Sequence, residues 1–213
     1  ALNPTLTIGR QLTEGVMRHE NLTRKEADAR AIEMLDRVGI ANPAARLTQY
    51  PHGFSGGQRQ RIMIASTLMG RPKLLIADEP TTALDVTIQA QILTLLGQLQ
   101  ADLGLSLLLI THDLGVVAAI ANDVAVMYAG RIVERAPAAD LFATPRHPYT
   151  KALISAVPTP DPEFERGKDR IKLRGDLPSP LDRRSPLRFL KSVIIDNPDA
   201  EQYDPKLIAI VSS

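Results

Sequence analysis

Two short, mainly apolar runs lie on either side of a long helical pattern. Residues 73–77 and 105–110 have the length and composition of strands that are covered on both faces. Between them, apolar residues recur at helical spacing over residues 86–103. Because neighbouring parallel strands need a crossover connection, the order strand, helix, strand predicts an α/β fold with a mainly parallel sheet.

Helical patterns dominate residues 5–70, which precede the first strand. Thr23–Glu26 forms a capping box, and the helix that it begins is predicted to end at Gly39. Residues 40–54 contain two prolines and are predicted to be a loop, and a further helix is predicted to begin at Ser55. This part of the chain is therefore expected to be a helical subdomain.

The chain after the second strand has three predicted features. A short helix is expected at 113–121, followed by a hairpin with strands at 124–128 and 131–135 around Gly130. Pro148 suits the first turn of a helix that runs to about Val157. From Pro158 onward the composition changes, because half of the 16 prolines fall in this part of the chain. This predicts an extended, loosely packed C-terminal extension.

Composition excludes several classes of function. The 25 basic and 24 acidic residues nearly cancel, so no nucleic acid is expected as a partner. The absence of cysteine excludes disulfides and cysteine-ligated metals. No apolar run approaches the ~20 residues that cross a bilayer, so any link to a membrane is expected to go through a partner. Because Ala1 stands where an initiator methionine would, we expect a cut fragment or a processed product.

The turn Ser55-Gly56-Gly57-Gln58 has two interpretations. Ser-x-x-Gln fits a capping box, which would be a purely structural role. Two glycines in a first helical turn, however, cost roughly 1 kcal/mol each relative to alanine, and capping does not require them. They allow an anion to approach the free amides of a helix start, so we expect a phosphate to bind here.

Two adjacent acids, Asp78 and Glu79, follow the first predicted strand. The carboxyl ends of parallel strands are where open α/β sheets bind ligands. One acid holding Mg²⁺ while the other takes a proton from attacking water is a coherent division of roles. The alternative is that one acid caps the next turn and the other is solvated.

His112 and Asp85 are further candidates near the same edge. His112 ends the second predicted strand, where it could hydrogen-bond a phosphate or orient water, whereas the other histidines are expected to be structural. Asp85 is predicted to cap the helix that begins at Val86, with a second role at a subunit contact also open. The basic and apolar stretch 183–191 is expected to be a solvated segment rather than a site for acidic lipid or nucleic acid.

These residues together resemble the ATPase subunits of ABC transporters. The similarity covers the signature motif, the Walker B strand, the D-loop and the switch histidine of that family, at Phe54–Arg61, Leu74–Glu79, Thr82–Asp85 and Thr111–Asp113. A closer resemblance, to the ATPase subunits of bacterial oligopeptide and dipeptide importers, covers about residues 1–182. It is carried by Ala1–Gly9, Asp78–Gln91, Thr111–Val117, Val126–Glu134, His147–Leu153 and Gly175–Leu181.

The resemblance implies a partial P-loop NTPase fold and a shared nucleotide site. In the family, ATP lies between two subunits, one of which supplies the phosphate loop and the other the signature motif. By this resemblance the signature residues would contact ATP bound to the partner, Asp78 would hold Mg²⁺, Glu79 would act as general base and His112 would sense the γ-phosphate. The signature residues are Ser55, Gly56, Gly57 and Gln58, and Asp85 would lie at the subunit contact.

The same resemblance implies ATP-driven peptide import at the bacterial inner membrane. The cofactors would be ATP and Mg²⁺, and the chain would lie peripherally on the cytoplasmic face. Its partners would be a second ABC ATPase subunit, transmembrane permease subunits and, indirectly, a periplasmic solute-binding protein. Nickel or glutathione stays open as an alternative solute.

The chain departs from the family pattern at both ends. It contains no Gly-x-x-x-x-Gly-Lys-Ser/Thr phosphate loop, because its only Gly-Lys pair, Gly167-Lys168, is followed by Asp169 and has Pro162 in place of the leading glycine. The Q-loop glutamine of the family is absent as well. After Asp182 the sequence is unlike the family. We therefore expect an incomplete ABC ATPase domain and a separate extension. The ABC ATPase domain is expected at 1–157 and the extension at 158–213, of which 183–213 is divergent. Within the domain we expect a helical and signature subdomain at 5–70, an α/β core at 71–135 and a helical end at 136–157.

Three readings of the function stay open. The chain is an importer ATPase subunit in truncated form, a non-catalytic module that lends its signature motif to a complete partner, or an inert remnant. ATPases of DNA repair share the signature motif and Walker B but carry long heptad arms, which this sequence lacks.

Overall fold

The computed structural model of the protein describes residues 1–82, 84–128 and 131–157. They belong to two compact units, residues 1–112 and a second unit that begins at Asp113. The expectations for Ala83 of the D-loop, for the hairpin turn at 129–130 and for the extension 158–213, including Gly167-Lys168 and the stretch 183–191, lie outside the described residues.

Four helices and one short 3₁₀ turn open the first unit. They are α1 (Ile8–Glu20), α2 (Arg24–Arg37), α3 (Pro43–Arg46), the 3₁₀ turn Pro51–Gly53 and α4 (Gly56–Leu68). The predicted helical character of residues 5–70 is confirmed. The prediction of a plain loop over 40–54 was wrong, because two prolines there stand at N-terminal positions of short helical segments.

Local sequence explains where α2 begins and ends. The Thr23 hydroxyl accepts from the Glu26 amide at 3.4 Å, and the Glu26 carboxylate accepts from the Thr23 amide at 2.8 Å. The predicted capping box is therefore present. Gly39 has a φ of 75°, a left-handed conformation that favours glycine, and it ends α2 as predicted.

A parallel strand pair joined by a long helix completes the first unit. β1 (Leu74–Asp78) pairs with β2 (Ser106–Ile110), and α5 (Val86–Leu103) connects them. Asp78 stands opposite Ile110, so the residues just beyond these two positions lie at one edge of the sheet. The predicted strand–helix–strand unit and its parallel pairing are confirmed.

The prediction that both strands are covered on both faces was wrong for the described chain. Leu75 is buried, but the apolar side chains on the other face of the pair are between 47% and 58% exposed. They are Leu74, Ile76, Leu108 and Ile110. The reason is geometric, since side chains alternate along a strand and the helices of this unit pack against one face of the pair.

The core of the first unit lies between α1, α2, α4, α5 and the covered strand face. Its fully buried large side chains include Ile8, Leu35, Ile62, Ile92 and Leu96. This packing fixes the beginning of α4 against α5. It thereby positions Ser55-Gly56-Gly57-Gln58, which is called the signature turn below.

Within residues 113–128 and 131–157, the second unit contains an antiparallel hairpin and three helices. α6 (Leu114–Ile120) precedes β3 (Asp123–Tyr128), which pairs with β4 (Arg131–Pro137), and α7 (Ala138–Ala143) and α8 (Pro148–Ala156) follow. The predicted short helix, the hairpin and the helix that begins at Pro148 are confirmed. A small core of Val124, Val126, Ala138 and Leu141 holds this unit together. In the part of the chain described here, no helix combines the length and the hydropathy needed to cross a bilayer.

Candidate active site

Glu79 is placed by an unusual backbone turn at the end of β1. Its φ is 43°, a left-handed conformation that costs a residue other than glycine roughly 1–2 kcal/mol. Its amide still donates to the Ile110 carbonyl at 2.9 Å, so the backbone remains paired with β2 while the chain turns. The Glu79 side chain is thereby brought beside His112, two residues beyond the end of β2.

The Glu79 carboxylate is held by a hydrogen bond to each of its oxygens. Oε1 lies 2.8 Å from Nδ1 of His112, and Oε2 accepts from the Thr82 hydroxyl at 2.7 Å. An ionised carboxylate only accepts, so Nδ1 of His112 carries the hydrogen in this pair. Both side chains remain open to solvent, with exposed fractions of 44% for Glu79 and 80% for His112.

These hydrogen bonds change the acidity of the carboxyl group. The Thr82 hydroxyl, and after it the His112 imidazole, lower the pKa of Glu79 below its ordinary value. Both donors favour the charged form, which outweighs the small opposing effect of desolvation. Glu79 is therefore ionised at neutral pH and can accept a hydrogen bond from water.

Asp78 stands beside Glu79 as the last residue of β1. It is exposed, and its side chain makes no hydrogen bond to any other residue of the described ranges. A free carboxylate is the kind of oxygen ligand that Mg²⁺ takes, one or two per ion together with water and phosphate oxygens. Asp78 thus fits such an ion, although the described ranges contain no group of three or more acidic or histidine ligands.

The signature turn forms the beginning of α4. The Ser55 hydroxyl accepts from the Gln58 amide at 3.3 Å, and the Gln58 side chain accepts from the Ser55 amide at 3.0 Å. The capping box considered from the sequence is therefore present. Ser55, Gly56 and Gln58 are exposed and Gly57 is half-buried, so the turn is accessible from solvent.

The two glycines of the turn differ in their surroundings. A Cβ at Gly56 would meet Leu84 at an ordinary 3.7 Å, whereas a Cβ at Gly57 would stand 2.9 Å from Cγ2 of Ile88 on α5. Close packing of α4 on α5 thus gives Gly57 a structural reason that the sequence argument missed. Gly56 has no such neighbour, and its missing side chain leaves the first turn open.

Arg61 also holds the helix of the signature turn in place, which sequence reasoning missed. Its guanidinium donates to the Val38 carbonyl at the end of α2 at 2.8 Å and to the Gln91 side chain on α5 at 3.3 Å. One side chain thus ties α4 to both neighbouring helices. An arginine one turn beyond the signature glycines is visible in the sequence, but its partners are 23 and 30 residues away along the chain.

The structure brings some of the candidate residues together and leaves others in separate places. Glu79, His112 and Thr82 form one cluster with Asp78 adjacent in sequence. Asp85 is exposed and caps α5 through the Ile88 amide at 3.0 Å, as predicted. The signature turn lies near the segment between these groups, since a Cβ at Gly56 would stand 3.7 Å from the Leu84 side chain.

Comparison with known proteins gives two family matches on this one chain. The ABC transporter family matches residues 1–82, and the C-terminal region of oligopeptide/dipeptide transporters matches residues 133–185. A putative peptide import ATP-binding protein of Brucella abortus (strain 2308) is 52% identical over 88% of this chain and 56% of its own length. The dipeptide transport ATP-binding protein DppD of Bacillus subtilis is 52% identical over 89% of this chain and 53% of its own length.

Solved structures give the same result for the fold. The cbiO1 subunit from Clostridium perfringens, part of the ABC transporter complex cbiONQ, has a TM-score of 0.59 at 31% identity, covering 67% of this chain and 55% of its own. The ATP-binding cassette MJ0796, solved as a dimer with ADP and Pi, has a TM-score of 0.56 at 27% identity, covering 64% of this chain and 59% of its own.

The chain therefore spans about half the length of the curated relatives that it matches. The expected α/β fold, a partial P-loop NTPase fold, is confirmed. With the cluster at the sheet edge, the signature turn and both family matches on one polypeptide, this chain belongs to the ABC transporter ATPase family, in its oligopeptide/dipeptide branch.

Proposed function

We propose that this chain is the signature and Walker B portion of an importer ATPase subunit, which couples ATP hydrolysis to the uptake of peptides. The observation that carries the proposal is the contact between Glu79 and His112 at the end of the parallel pair, at 2.8 Å. This contact links two side chains at the sheet edge where α/β proteins bind ligands. One is a carboxylate that can accept a proton, and the other is an imidazole that can bind an anion.

Glu79 acts as the general base in this proposal. Each of its oxygens has two lone pairs, so each can accept from water while keeping its present hydrogen bond. Its lowered pKa keeps it ionised, and the hydrogen bonds from Thr82 and His112 hold it in one orientation. A positioned base contributes about 10²–10⁴-fold to a rate.

His112 contacts the terminal phosphate in the same proposal. With Nδ1 directed to Glu79, Nε2 is left for a second partner. A neutral ring with hydrogen on Nδ1 offers only an acceptor at Nε2, so His112 donates to a phosphate oxygen when it is protonated.

Mg²⁺ and the signature turn complete the proposed site. Asp78 is the residue that would hold Mg²⁺, which when bound neutralises phosphate charge. Gly56 and Gly57 present their helix-start amides to the nucleotide of a second subunit, and Ser55 and Gln58 present their side chains beside them. Asp85 lies at the contact between the two subunits. The phosphate loop is supplied by polypeptide outside these 213 residues.

The relatives' names point to the class of solute and to the partners. They include peptide import, dipeptide transport and oligopeptide transport proteins. We propose a second ATPase subunit and transmembrane permease subunits as direct partners, with the chain on the cytoplasmic face of the inner membrane. The domain divisions after residues 70, 135 and 157 belong to the same proposal.

The test is ATP turnover by the assembled transporter with two single variants of this chain. Glu79→Gln keeps the shape of the side chain but removes the base, and we expect turnover to fall by about 10²-fold or more. Ser55→Arg fills the open signature turn and is expected to abolish turnover at the partner's nucleotide. Full activity of Glu79→Gln would overturn the catalytic role.

The same pair of variants separates a second candidate function. The chain could serve as a non-catalytic module that supplies only its signature turn, a reading favoured by the absence of a phosphate loop from its 213 residues. In that case Ser55→Arg abolishes activity and Glu79→Gln leaves it unchanged. An inert remnant responds to neither variant.

A further inference from the structure

Thr82 is the first residue of the D-loop, and none of the roles that the family resemblance implies for this site falls on it. The turn after β1 brings its hydroxyl to 2.7 Å from Oε2 of Glu79, on the opposite oxygen from His112. Thr82 is exposed and lies outside both hydrophobic clusters, so its side chain is not there to fill a core. The contact with Glu79 is the side-chain hydrogen bond that the structure shows for it.

Several further hydrogen bonds fix the segment that carries Thr82. The Thr82 amide donates to the Glu79 carbonyl at 3.1 Å, which closes the turn. The Thr81 carbonyl accepts from the Leu84 amide at 3.2 Å and from the Gln89 side chain on α5 at 3.2 Å. The hydroxyl is thus presented by a braced turn rather than by a loose loop.

We propose that Thr82 is a positioning residue for the catalytic carboxylate, because its hydroxyl and the His112 imidazole together fix Glu79 from both sides. This inference rests on the proposed role of Glu79 as general base. A carboxylate held by one donor can rotate about its last bond, whereas one held on both oxygens keeps a single plane. The hydroxyl also stabilises the ionised form directly.

The inference predicts different results for Thr82 and for its neighbour. Thr82→Val keeps the β-branched shape and removes the donor, so the Glu79 carboxylate loses its fixed orientation. Thr82→Ser keeps the donor and restores that orientation. Thr81→Val is the matched control, since Thr81 supplies only its backbone carbonyl to this network.

The first measurement is ATP turnover by the assembled transporter, resolved into kcat and KM. We expect Thr82→Val to lower kcat by about 10-fold with little change in the KM for ATP, and wild-type values in Thr82→Ser and Thr81→Val. Amide spectra of the 213-residue chain report whether each variant is folded, and Thr82→Ala replaces Thr82→Val if that variant is not. An unchanged kcat in the folded variant lacking the hydroxyl overturns the inference.

The second measurement combines Thr82→Val with Glu79→Gln in the assembled transporter. If the hydroxyl acts only by positioning the carboxylate, it adds no further loss once the base is gone, so the double variant should turn over as slowly as Glu79→Gln alone. A further loss in the double variant would contradict the positioning role. A transporter that ignores Glu79→Gln refutes the proposed function, whereas one that is impaired by Glu79→Gln but not by Thr82→Val refutes this inference alone.

Discussion

Glu79 shows how much of this site depends on one backbone conformation. At a φ of 43°, the residue turns the chain away from β1 while its amide stays paired with β2. The left-handed conformation is what sets its carboxylate between His112 and Thr82. An Asp-Glu pair does not predict a left-handed conformation. The position of Glu79 at the sheet edge could therefore be predicted from the sequence, but its two hydrogen bonds could not.

A second residue-scale feature is the buried His147 at the beginning of α8. Its ring accepts from the Tyr149 amide at 3.2 Å, and its own amide donates to the buried Glu134 carboxylate at 3.0 Å. Burial lowers the pKa of His147 to about 4, against the opposing effect of Glu134. The structural role expected for this histidine agrees with these contacts.

His147 makes the second unit sensitive to acid. The unfolded chain protonates this side chain near pH 6.5, whereas the folded one resists protonation until about pH 4. Its contribution to stability is therefore complete above pH 6.5 and is lost as the pH falls toward 4. We expect the free energy of unfolding to decrease by roughly 1–2 kcal/mol between pH 7 and 5 through this group.

Denaturant unfolding at pH 7 and pH 5 checks this expectation with two variants. His147→Asn keeps a capping acceptor without a proton to gain, and it should flatten the pH dependence. His19→Asn, at an exposed position on α1, should leave the dependence as it is in the wild type. Equal pH dependence in all three proteins would contradict the account of His147.

At the scale of elements, the sequence predicted the helices and strands well because their signals are local. Capping boxes at Thr23 and Ser55, the glycine at 39 and the apolar periods of β1 and α5 each act within a few residues. Burial of the strands was predicted wrongly, because an apolar run does not say whether both faces will be covered. The tie from Arg61 to α2 and α5 was missed for a related reason, since it depends on tertiary packing.

The close approach of α4 to α5 gives a prediction for the signature glycines. Gly57→Ala places a Cβ about 2.9 Å from the Ile88 side chain, so we expect a loss of stability of roughly 1–3 kcal/mol. Gly56→Ala meets only an ordinary contact with Leu84 and should be neutral or slightly stabilising. Equilibrium unfolding of the two variants measures the difference.

A double-mutant cycle shows whether the clash with Ile88 is the cause. Ile88→Ala removes the Cγ2 atom that the new side chain meets, so Gly57→Ala should cost much less in that background. Equal costs in the two backgrounds would mean that Gly57 is required for another reason, such as the approach of a phosphate to the turn.

At the scale of the whole molecule, the proposed function assigns these 213 residues one part of a nucleotide site. In that proposal Glu79 is the base, His112 contacts the terminal phosphate, and the signature turn contacts the nucleotide of a second subunit. The phosphate loop that supplies most of the affinity for a triphosphate is absent from the sequence. The exposed apolar face of β1 and β2 shows that half of this sheet's surface is uncovered in the described chain.

We therefore expect the isolated chain to bind ATP weakly and to hydrolyse it negligibly. Equilibrium dialysis with ATP and Mg²⁺, together with phosphate release by the purified chain, measures both properties. The Glu79→Gln variant is the control, because it removes the base and so identifies contaminating activity. Robust Mg²⁺-dependent hydrolysis that disappears in Glu79→Gln would show that a phosphate cradle exists within these residues after all.

In the proposed function, the signature turn of this chain completes a nucleotide site on a second subunit. Its most direct test mixes the chain with a full-length ATPase subunit that has its own phosphate loop but an arginine in place of its own signature serine. We expect ATP hydrolysis to appear on adding the wild-type chain and to be absent with Ser55→Arg. Equal hydrolysis with the wild-type chain and with Ser55→Arg, or none with either, would contradict it.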